Sequence, residues 1–88
     1  MSASMEDIRN QVNLTMSQGF EIPLKDLRPE ATLFEDLALD SLDAIDLIVY
    51  LEEKFALKVD AEMFKDVRTM GDVYVLVEKL SQSDQLKN

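Results

Sequence analysis

The chain has 88 residues, a formal net charge of −9 and no cysteine or histidine. This length predicts one small domain, and the missing residue types exclude disulfides, cysteine nucleophiles, imidazole metal ligands and Ser-His catalysis. No stretch reaches the roughly 20 apolar residues of a membrane span, and the N-terminus lacks a signal-peptide pattern, so we expect a cytoplasmic protein without membrane insertion.

The acidic charge is concentrated in the middle of the chain. Segment 29–53 contains eight aspartates and glutamates but no lysine or arginine. Such a segment repels the phosphates of nucleic acids and attracts basic protein surfaces. We therefore expect basic protein partners and no nucleic-acid binding. The alternative is that the charge only keeps a small protein in solution.

The first predicted helix begins after Ser4, which has the spacing of a capping box with Asp7. Apolar residues follow at helical intervals, and the helix is predicted to end near Gly19: Met5, Ile8, Val12 and Met16. The long connection 20–39 carries seven apolar side chains that we expect to hold it across the core: Phe20, Ile22, Leu24, Leu27, Leu33, Phe34 and Leu37.

The second predicted helix runs from Ser41 to Phe55, with Asp40 as its N-cap and Asp43 completing a capping box. Ser41 then lies in the first turn, where free N–H groups and the helix dipole favour an anionic group such as a phosphodiester on its hydroxyl. Ser41 is a poor candidate for a hydrolytic nucleophile, because the chain has no histidine and no lysine or arginine lies near it in sequence.

The apolar positions of this helix predict its buried face: Leu42, Ile45, Ile48, Val49 and Phe55. The predicted outward face consists of Asp43, Asp46, Tyr50 and Glu53, and Leu47 lies beside this face. Acidic groups interleaved with Leu47 and Tyr50 indicate a docking surface for a protein partner. The alternative is an ordinary solvated helix face.

Two further helices complete the predicted fold. Asp60 caps a short helix carrying Met63, Phe64 and Val67. A capping box of Thr69 and Asp72 starts the last helix, whose apolar residues are Met70, Val73, Leu76, Val77 and Leu80. We predict an all-α fold: a small four-helix bundle with three main helices, one short helix and a long first loop. A single domain spans 1–88, with its core at about 4–80 and a polar tail at 81–88.

The residues around Ser41 resemble the signature of the acyl carrier protein family. That pattern is Asp-Ser-Leu, then Asp, a second acidic residue three positions on, and a Leu-Glu-Glu-x-Phe ending. Here these positions are Asp40-Ser41-Leu42, Asp43, Asp46 and segment 51–55, and the resemblance extends over about 24–80. It implies that a phosphopantetheinyl transferase attaches 4′-phosphopantetheine covalently to Ser41, within the attachment triplet of Asp40, Ser41 and Leu42. The thiol of the arm would hold an acyl chain as a thioester.

The resemblance also implies a monomeric, non-catalytic carrier without a metal, used by acyl-transfer, condensing and other synthase enzymes that have basic docking patches. The implied acyl cavity would be lined by Ile45, Ile48, Val49, Val59, Phe64 and Val67. The cargo stays open between fatty acyl and polyketide-like chains, with an aminoacyl, D-alanyl or other dedicated-pathway carrier as an alternative. A different alternative is an acidic helical adaptor with no covalent cofactor.

Several positions depart from the family pattern. Ala38 stands where the family usually has glycine, Tyr50 where it often has a small residue, and Asp60 where proline is frequent. Met63 and Phe64 replace a common acidic-small pair. We hypothesise that the Phe64 ring narrows the resting acyl cavity; alternatively, it packs against Val67 and the last helix.

Overall fold

The computed structural model describes the backbone of residues 4–86 and the side chains of residues 4–81. Within residues 4–86, three α-helices form the bundle: α1 (Met5–Phe20), α2 (Ser41–Phe55) and α3 (Met70–Leu86). The same part of the chain has two short 3₁₀ turns, the first at Leu24–Asp26 and the second at Ala61–Phe64. Within 4–86 there is no strand, only an isolated bridge between Thr32 and Thr69. The predicted all-α bundle is confirmed, with the short fourth helix formed as a 3₁₀ turn.

The predicted caps determine where the helices start. The N–H of Asp7 donates to the Ser4 hydroxyl at 3.2 Å. At the start of α3, the N–H of Asp72 donates to the Thr69 hydroxyl and the N–H of Thr69 donates to Asp72 Oδ2, both at 3.2 Å. Asp60 caps the second 3₁₀ turn as predicted, accepting from the Glu62 N–H at 3.3 Å. These local pairs satisfy donors that a helix leaves without partners.

The hydrophobic core uses one face of each helix together with the long loop. The fully or almost fully buried helical residues are Ile8, Val12, Met16, Leu47, Leu51, Met70, Val73, Tyr74 and Val77. The loop adds Leu27, Ala31, Leu33 and Leu39. Most of the predicted inward positions of α1 and α3 are thus confirmed, whereas three are half-buried: Met5, Leu76 and Leu80.

Tyr74 is a core residue missing from the predicted apolar positions of α3, although it shares the helical spacing of Met70 and Val77. Its side chain is 3% exposed, and its hydroxyl donates a 2.6 Å hydrogen bond to Asn13 Oδ1. Burial raises the pKa of Tyr74 above its ordinary value of 10.0, and the Asn13 hydrogen bond and the Arg9 charge oppose part of this rise. The Arg9 guanidinium carbon also lies 5.9 Å from the centre of the ring.

The buried face of α2 differs from the prediction. Leu42, Ile45 and Val49 are 72%, 57% and 42% exposed, whereas Leu47 and Leu51 are completely buried. The predicted burial of Leu42, Ile45 and Val49 is therefore wrong. Residues four and seven positions apart share a helix face, so burying Leu42 and Val49 would also bury the carboxylates of Asp46 and Glu53. Unpaired buried carboxylates cost several kcal/mol, which the observed orientation avoids.

The long loop brings the starts of α2 and α3 to the same end of the bundle. The N–H of Leu39 donates to the Leu33 carbonyl at 3.0 Å, and the N–H of Leu33 donates to the Arg68 carbonyl at 2.9 Å. The N–H of Met70 donates to the Ala31 carbonyl at 2.9 Å. Leu24 and Phe34 are exposed, so their predicted part in holding the loop is wrong.

The last helix is longer than predicted. Its backbone stays helical to Leu86, past the predicted limit of the core near Leu80, while residues 87–88 of the predicted tail lie outside the described residues. None of the helices in the described part of the chain combines the length and apolarity needed to cross a membrane.

Candidate functional site

The Asp40-Ser41-Leu42 stretch forms a capped helix start, as predicted. Asp40 is extended, and its Oδ1 accepts the N–H of Asp43 at 2.9 Å. In return, Asp43 Oδ2 accepts the N–H of Asp40 at 3.2 Å. Ser41 is the first helical residue and its side chain is exposed. The structure therefore presents the Ser41 hydroxyl to solvent from a capped helix start.

This helix start can hold a phosphodiester on Ser41. The carboxylates of Asp40 and Asp43 each accept one backbone N–H. The N–H groups of Ser41 and Leu42 lie in the first helical turn, where the helix has no carbonyl to accept them, so they can face a phosphate. The nearby carboxylates repel a free phosphate, and segment 29–53 has no basic residue to offset them. The site thus suits a phosphate held by a covalent bond better than one held by ionic attraction.

Ala38 adopts a left-handed conformation just before this site. Its φ of 57° is one that residues with a Cβ rarely adopt. The turn allows Leu39 to enter the core, with 8% of its surface exposed, while the next residues lead out to Ser41. This backbone requirement explains why glycine is the usual residue here in the family that the sequence resembles.

The outward face of α2 carries apolar and acidic side chains in alternation. We call this set the outer stripe: Leu42, Ile45, Asp46, Val49 and Glu53, all of them exposed. It starts directly after Ser41. The three apolar members of the outer stripe are therefore outside the core and the acyl cavity in which they are predicted to lie. Leu42 and Val49 each precede an acidic residue by four positions, a spacing that puts them on the outward face with Asp46 and Glu53.

The predicted docking residues divide into three groups. Asp46 and Glu53 are exposed, as the prediction requires. Leu47 is completely buried, so its placement on the docking face is wrong. Asp43 and Tyr50 are half-buried and make internal contacts: Asp43 belongs to the capping box, and the Tyr50 ring packs edge-on to Phe20 with 5.4 Å between ring centres.

Gly19 allows Tyr50 this close approach to α1. A Cβ atom at Gly19 would lie 2.5 Å from Tyr50 Cε2, so any larger residue would displace the ring. Tyr50 and Glu53 also line an open cleft of about 430 Å³ between α1 and α2. Tyr50 therefore joins two helices, a role that the sequence analysis did not assign to it.

The six predicted cavity residues do not share one environment. Ile45 and Val49 are exposed, so their predicted place in an internal cavity is wrong for this conformation. Val59 and Val67 are buried, while Ile48 and Phe64 are half-buried, with Phe64 packed against the core. The N–H of Val59 donates to Glu52 Oε2 at 3.0 Å and so fixes the loop after α2.

A cavity of about 300 Å³ does lie beside the second 3₁₀ turn, but other residues line it: Met63, Leu76, Lys79 and Leu80. No group of three or more acidic residues within the described side chains is arranged to hold a metal ion.

Comparison with known proteins identifies the family. Residues 11–76 match the family described as phosphopantetheine attachment site. Acyl carrier protein 2 of Ralstonia nicotianae is 40% identical over 74 residues, which cover 84% of this chain and 91% of that protein. The acyl carrier protein of Thermotoga maritima is 35% identical over 77 residues, covering 88% and 95%.

A meromycolate extension acyl carrier protein of Mycolicibacterium aurum is 29% identical over 84 residues, covering 96% of this chain and 87% of that protein. The family match spans the capped start of α2 and the whole outer stripe. The resemblance inferred from the Asp40-Ser41-Leu42 motif is confirmed, and the chain belongs to the phosphopantetheine-attachment family together with the acyl carrier proteins that it resembles.

Proposed function

We propose that the protein is a monomeric cytoplasmic carrier that holds acyl intermediates as thioesters on 4′-phosphopantetheine attached to Ser41, for fatty acid or related biosynthesis. The observation that carries this proposal is the exposed Ser41 hydroxyl at the first position of a capped helix, inside the segment that matches the family. The arm supplies the thiol that this cysteine-free chain lacks. The protein itself acts as a carrier and not as an enzyme.

The chain's own residues prepare Ser41 without activating it. Asp40 and Asp43 hold the helix start, and the free N–H groups of Ser41 and Leu42 favour the phosphodiester once it is formed. The Asp40 carboxylate is already an acceptor for a backbone N–H, and the chain has no histidine. The proton of the Ser41 hydroxyl is therefore removed by a group of the transferase. The hydroxyl oxygen attacks the pantetheine-bearing phosphate of coenzyme A, whose pyrophosphate bond breaks and releases adenosine 3′,5′-bisphosphate.

The outer stripe is the proposed docking surface for the transferase and the synthase enzymes. Single exposed apolar residues are common on proteins, but Leu42, Ile45 and Val49 form one row beside the attachment point. Asp46 and Glu53 interrupt this row with negative charge. A partner patch with an apolar centre and basic edges complements it, giving fast association at modest affinity.

The non-covalent adaptor is the second candidate function, because the same stripe would serve it. Aminoacyl or D-alanyl cargo is the alternative within the carrier class. The names of the relatives favour acyl cargo, since each of them is called an acyl carrier protein.

Loading with phosphopantetheine tests the proposal. Incubation with coenzyme A and a phosphopantetheinyl transferase should add about 340 Da to the intact protein, as expected for one covalent phosphopantetheine group. Ser41→Ala should stay unmodified, while Ser17→Ala, on α1, should be loaded like the wild type. If several transferases leave the wild type unmodified, the carrier function is wrong and the adaptor becomes the better interpretation.

A further inference from the structure

The cavity of about 300 Å³ between the second 3₁₀ turn and α3 has a mixed lining. Met63, Leu76 and Leu80 provide apolar walls, and the exposed Lys79 adds a positive charge to the lining. Its volume is at the lower limit of the roughly 300–1,000 Å³ typical of small-molecule sites. The cavity is partly open to solvent and can hold part of a chain-like ligand against its apolar walls.

The lining residues indicate what that ligand contains. Met63 is exposed and Leu76 and Leu80 are half-buried, so their apolar surfaces gain a partner when an apolar chain enters. The Lys79 ammonium can only donate hydrogen bonds. Among the side chains that the structure describes, the ion pair joins Arg28 and Glu30 and does not involve Lys79. The Lys79 ammonium is therefore available to a ligand acceptor. The cavity therefore suits an apolar segment that ends in an oxygen acceptor.

The cavity lies within reach of Ser41. The starts of α2 and α3 share one end of the bundle, because Leu39, Leu33 and Arg68 are connected by backbone hydrogen bonds. Leu76 and Leu80 follow Met70 by six and ten positions, which corresponds to about 9 and 15 Å along α3. A linear arm with its acyl chain spans this distance.

We propose that this cavity binds the far end of an acyl chain carried on Ser41, and that Lys79 selects chains with a carboxylate or keto oxygen beyond an apolar segment. This inference rests on the proposed carrier function. The tether raises the effective concentration of the chain end to the millimolar range, so a small cavity suffices. In a protein with a net charge of −9, Lys79 also provides local attraction for an anionic end that most of the surface repels.

The test compares three cargoes of similar length on the full protein: hexanoyl, 5-oxohexanoyl and adipoyl groups, loaded from their coenzyme A thioesters. We expect the two oxygenated chains to shift the methyl resonances of Met63, Leu76 and Leu80 and to slow thioester hydrolysis at least about threefold relative to hexanoyl. A buried charge-assisted hydrogen bond contributes more free energy than a threefold rate change requires. At a partly open site its contribution is smaller and closer to that value.

Three variants identify the contribution of Lys79. Lys79→Met should remove the difference between cargoes, Lys79→Arg should retain it, and Lys25→Met, an exposed lysine on the first 3₁₀ turn, should behave as wild type. Circular dichroism confirms that each variant is folded. Equal hydrolysis and equal shifts for all three cargoes in the wild type, or an equal loss in Lys79→Met and Lys25→Met, would overturn the proposal. Mass spectrometry beforehand separates this result from failure of loading, which would overturn the carrier function itself.

Discussion

Two rows of apolar side chains run along α2, and their environments are opposite. Leu47 and Leu51 are completely buried against the rest of the core, whereas Leu42, Ile45 and Val49 face outward. The two rows are similarly hydrophobic, so hydrophobicity alone does not decide which is buried. The outer row shares its face with Asp46 and Glu53, which stay in water. We infer that the inner row provides stability and the outer row provides contact with partners.

Leucine truncation on the two rows gives the largest expected contrast. Leu47→Ala should lower the free energy of unfolding by about 2–5 kcal/mol, because it leaves a cavity in a closely packed core. Leu42→Ala should change it by less than about 0.5 kcal/mol, since the side chain is 72% exposed. Urea denaturation measures both values. Equal losses for the two variants would show that the outer row is buried in solution.

Phe64 tests whether the second 3₁₀ turn serves the core or the cargo. The ring is half-buried, so Phe64→Ala should cost about 1–3 kcal/mol, less than the roughly 3–5 kcal/mol of a fully buried phenylalanine. If the ring narrows the acyl cavity, a long acyl chain should raise the melting temperature more in the variant than in the wild type. Thermal shifts of short-chain and long-chain acyl forms measure this. If the thermal shift depends on chain length equally in both proteins, Phe64 packs in the core and does not contact the acyl chain.

Charge reversal on the outer stripe tests its part in docking. The variant Asp46→Lys, Glu53→Lys should load about tenfold more slowly at low salt, and the difference from wild type should shrink as salt screens the charges. Asp43 is unsuitable for this test because its carboxylate belongs to the capping box. Glu6→Lys, Glu62→Lys makes the same change in net charge at exposed positions outside the stripe. An equal slowing in this control would mean that net charge, and not the stripe, controls loading.

Local patterns predicted much of the fold, and the contacts they could not predict are long-range. The capping residues Ser4, Asp40 and Thr69 each accept from an N–H three residues away, so sequence alone predicts them. The inward face of α1 was likewise predicted, since that helix has one main apolar stripe. In α2 two apolar rows compete, and the choice depends on how the helix packs against α1 and the loop.

The buried Tyr74 and the cavity beside the second 3₁₀ turn were also missed because they depend on long-range contacts. Burial of Tyr74 requires an acceptor for its hydroxyl, which Asn13 provides from 61 residues away. The cavity at Met63 and Leu76 forms only when the second 3₁₀ turn lies against α3. Tyr74 does fall on the helical spacing of Met70, Val73 and Val77, but no local pattern shows an acceptor for its hydroxyl or brings Met63 to Leu76.

Tyr74 gives a pH-dependent measure of core integrity. Burial raises its pKa above the ordinary value of 10.0, so the stability it contributes is complete below about pH 10 and is lost as pH rises through the folded-state pKa. In Tyr50→Phe, where Tyr74 is the remaining tyrosine, absorbance at alkaline pH should therefore show titration above 10. Tyr74→Phe should remove this part of the alkaline loss of stability, measured by urea denaturation. A Tyr74 titration at or below 10 would contradict the buried position.

The smallest expected effect concerns Ala38, whose left-handed turn directs Leu39 inward and Ser41 outward. At a φ of 57° the Cβ costs about 1–2 kcal/mol, while glycine loses about 0.5–1 kcal/mol more backbone entropy on folding. Ala38→Gly should therefore stabilise the protein by up to about 1.5 kcal/mol. Ala56→Gly should do the same, since Ala56 has a φ of 54° at the end of α2. Ala44→Gly, inside α2, should instead cost about 1 kcal/mol. Urea denaturation of the three variants separates relief of backbone strain from loss of helix propensity. A loss of stability in Ala38→Gly would show that the turn before Ser41 is not left-handed in solution.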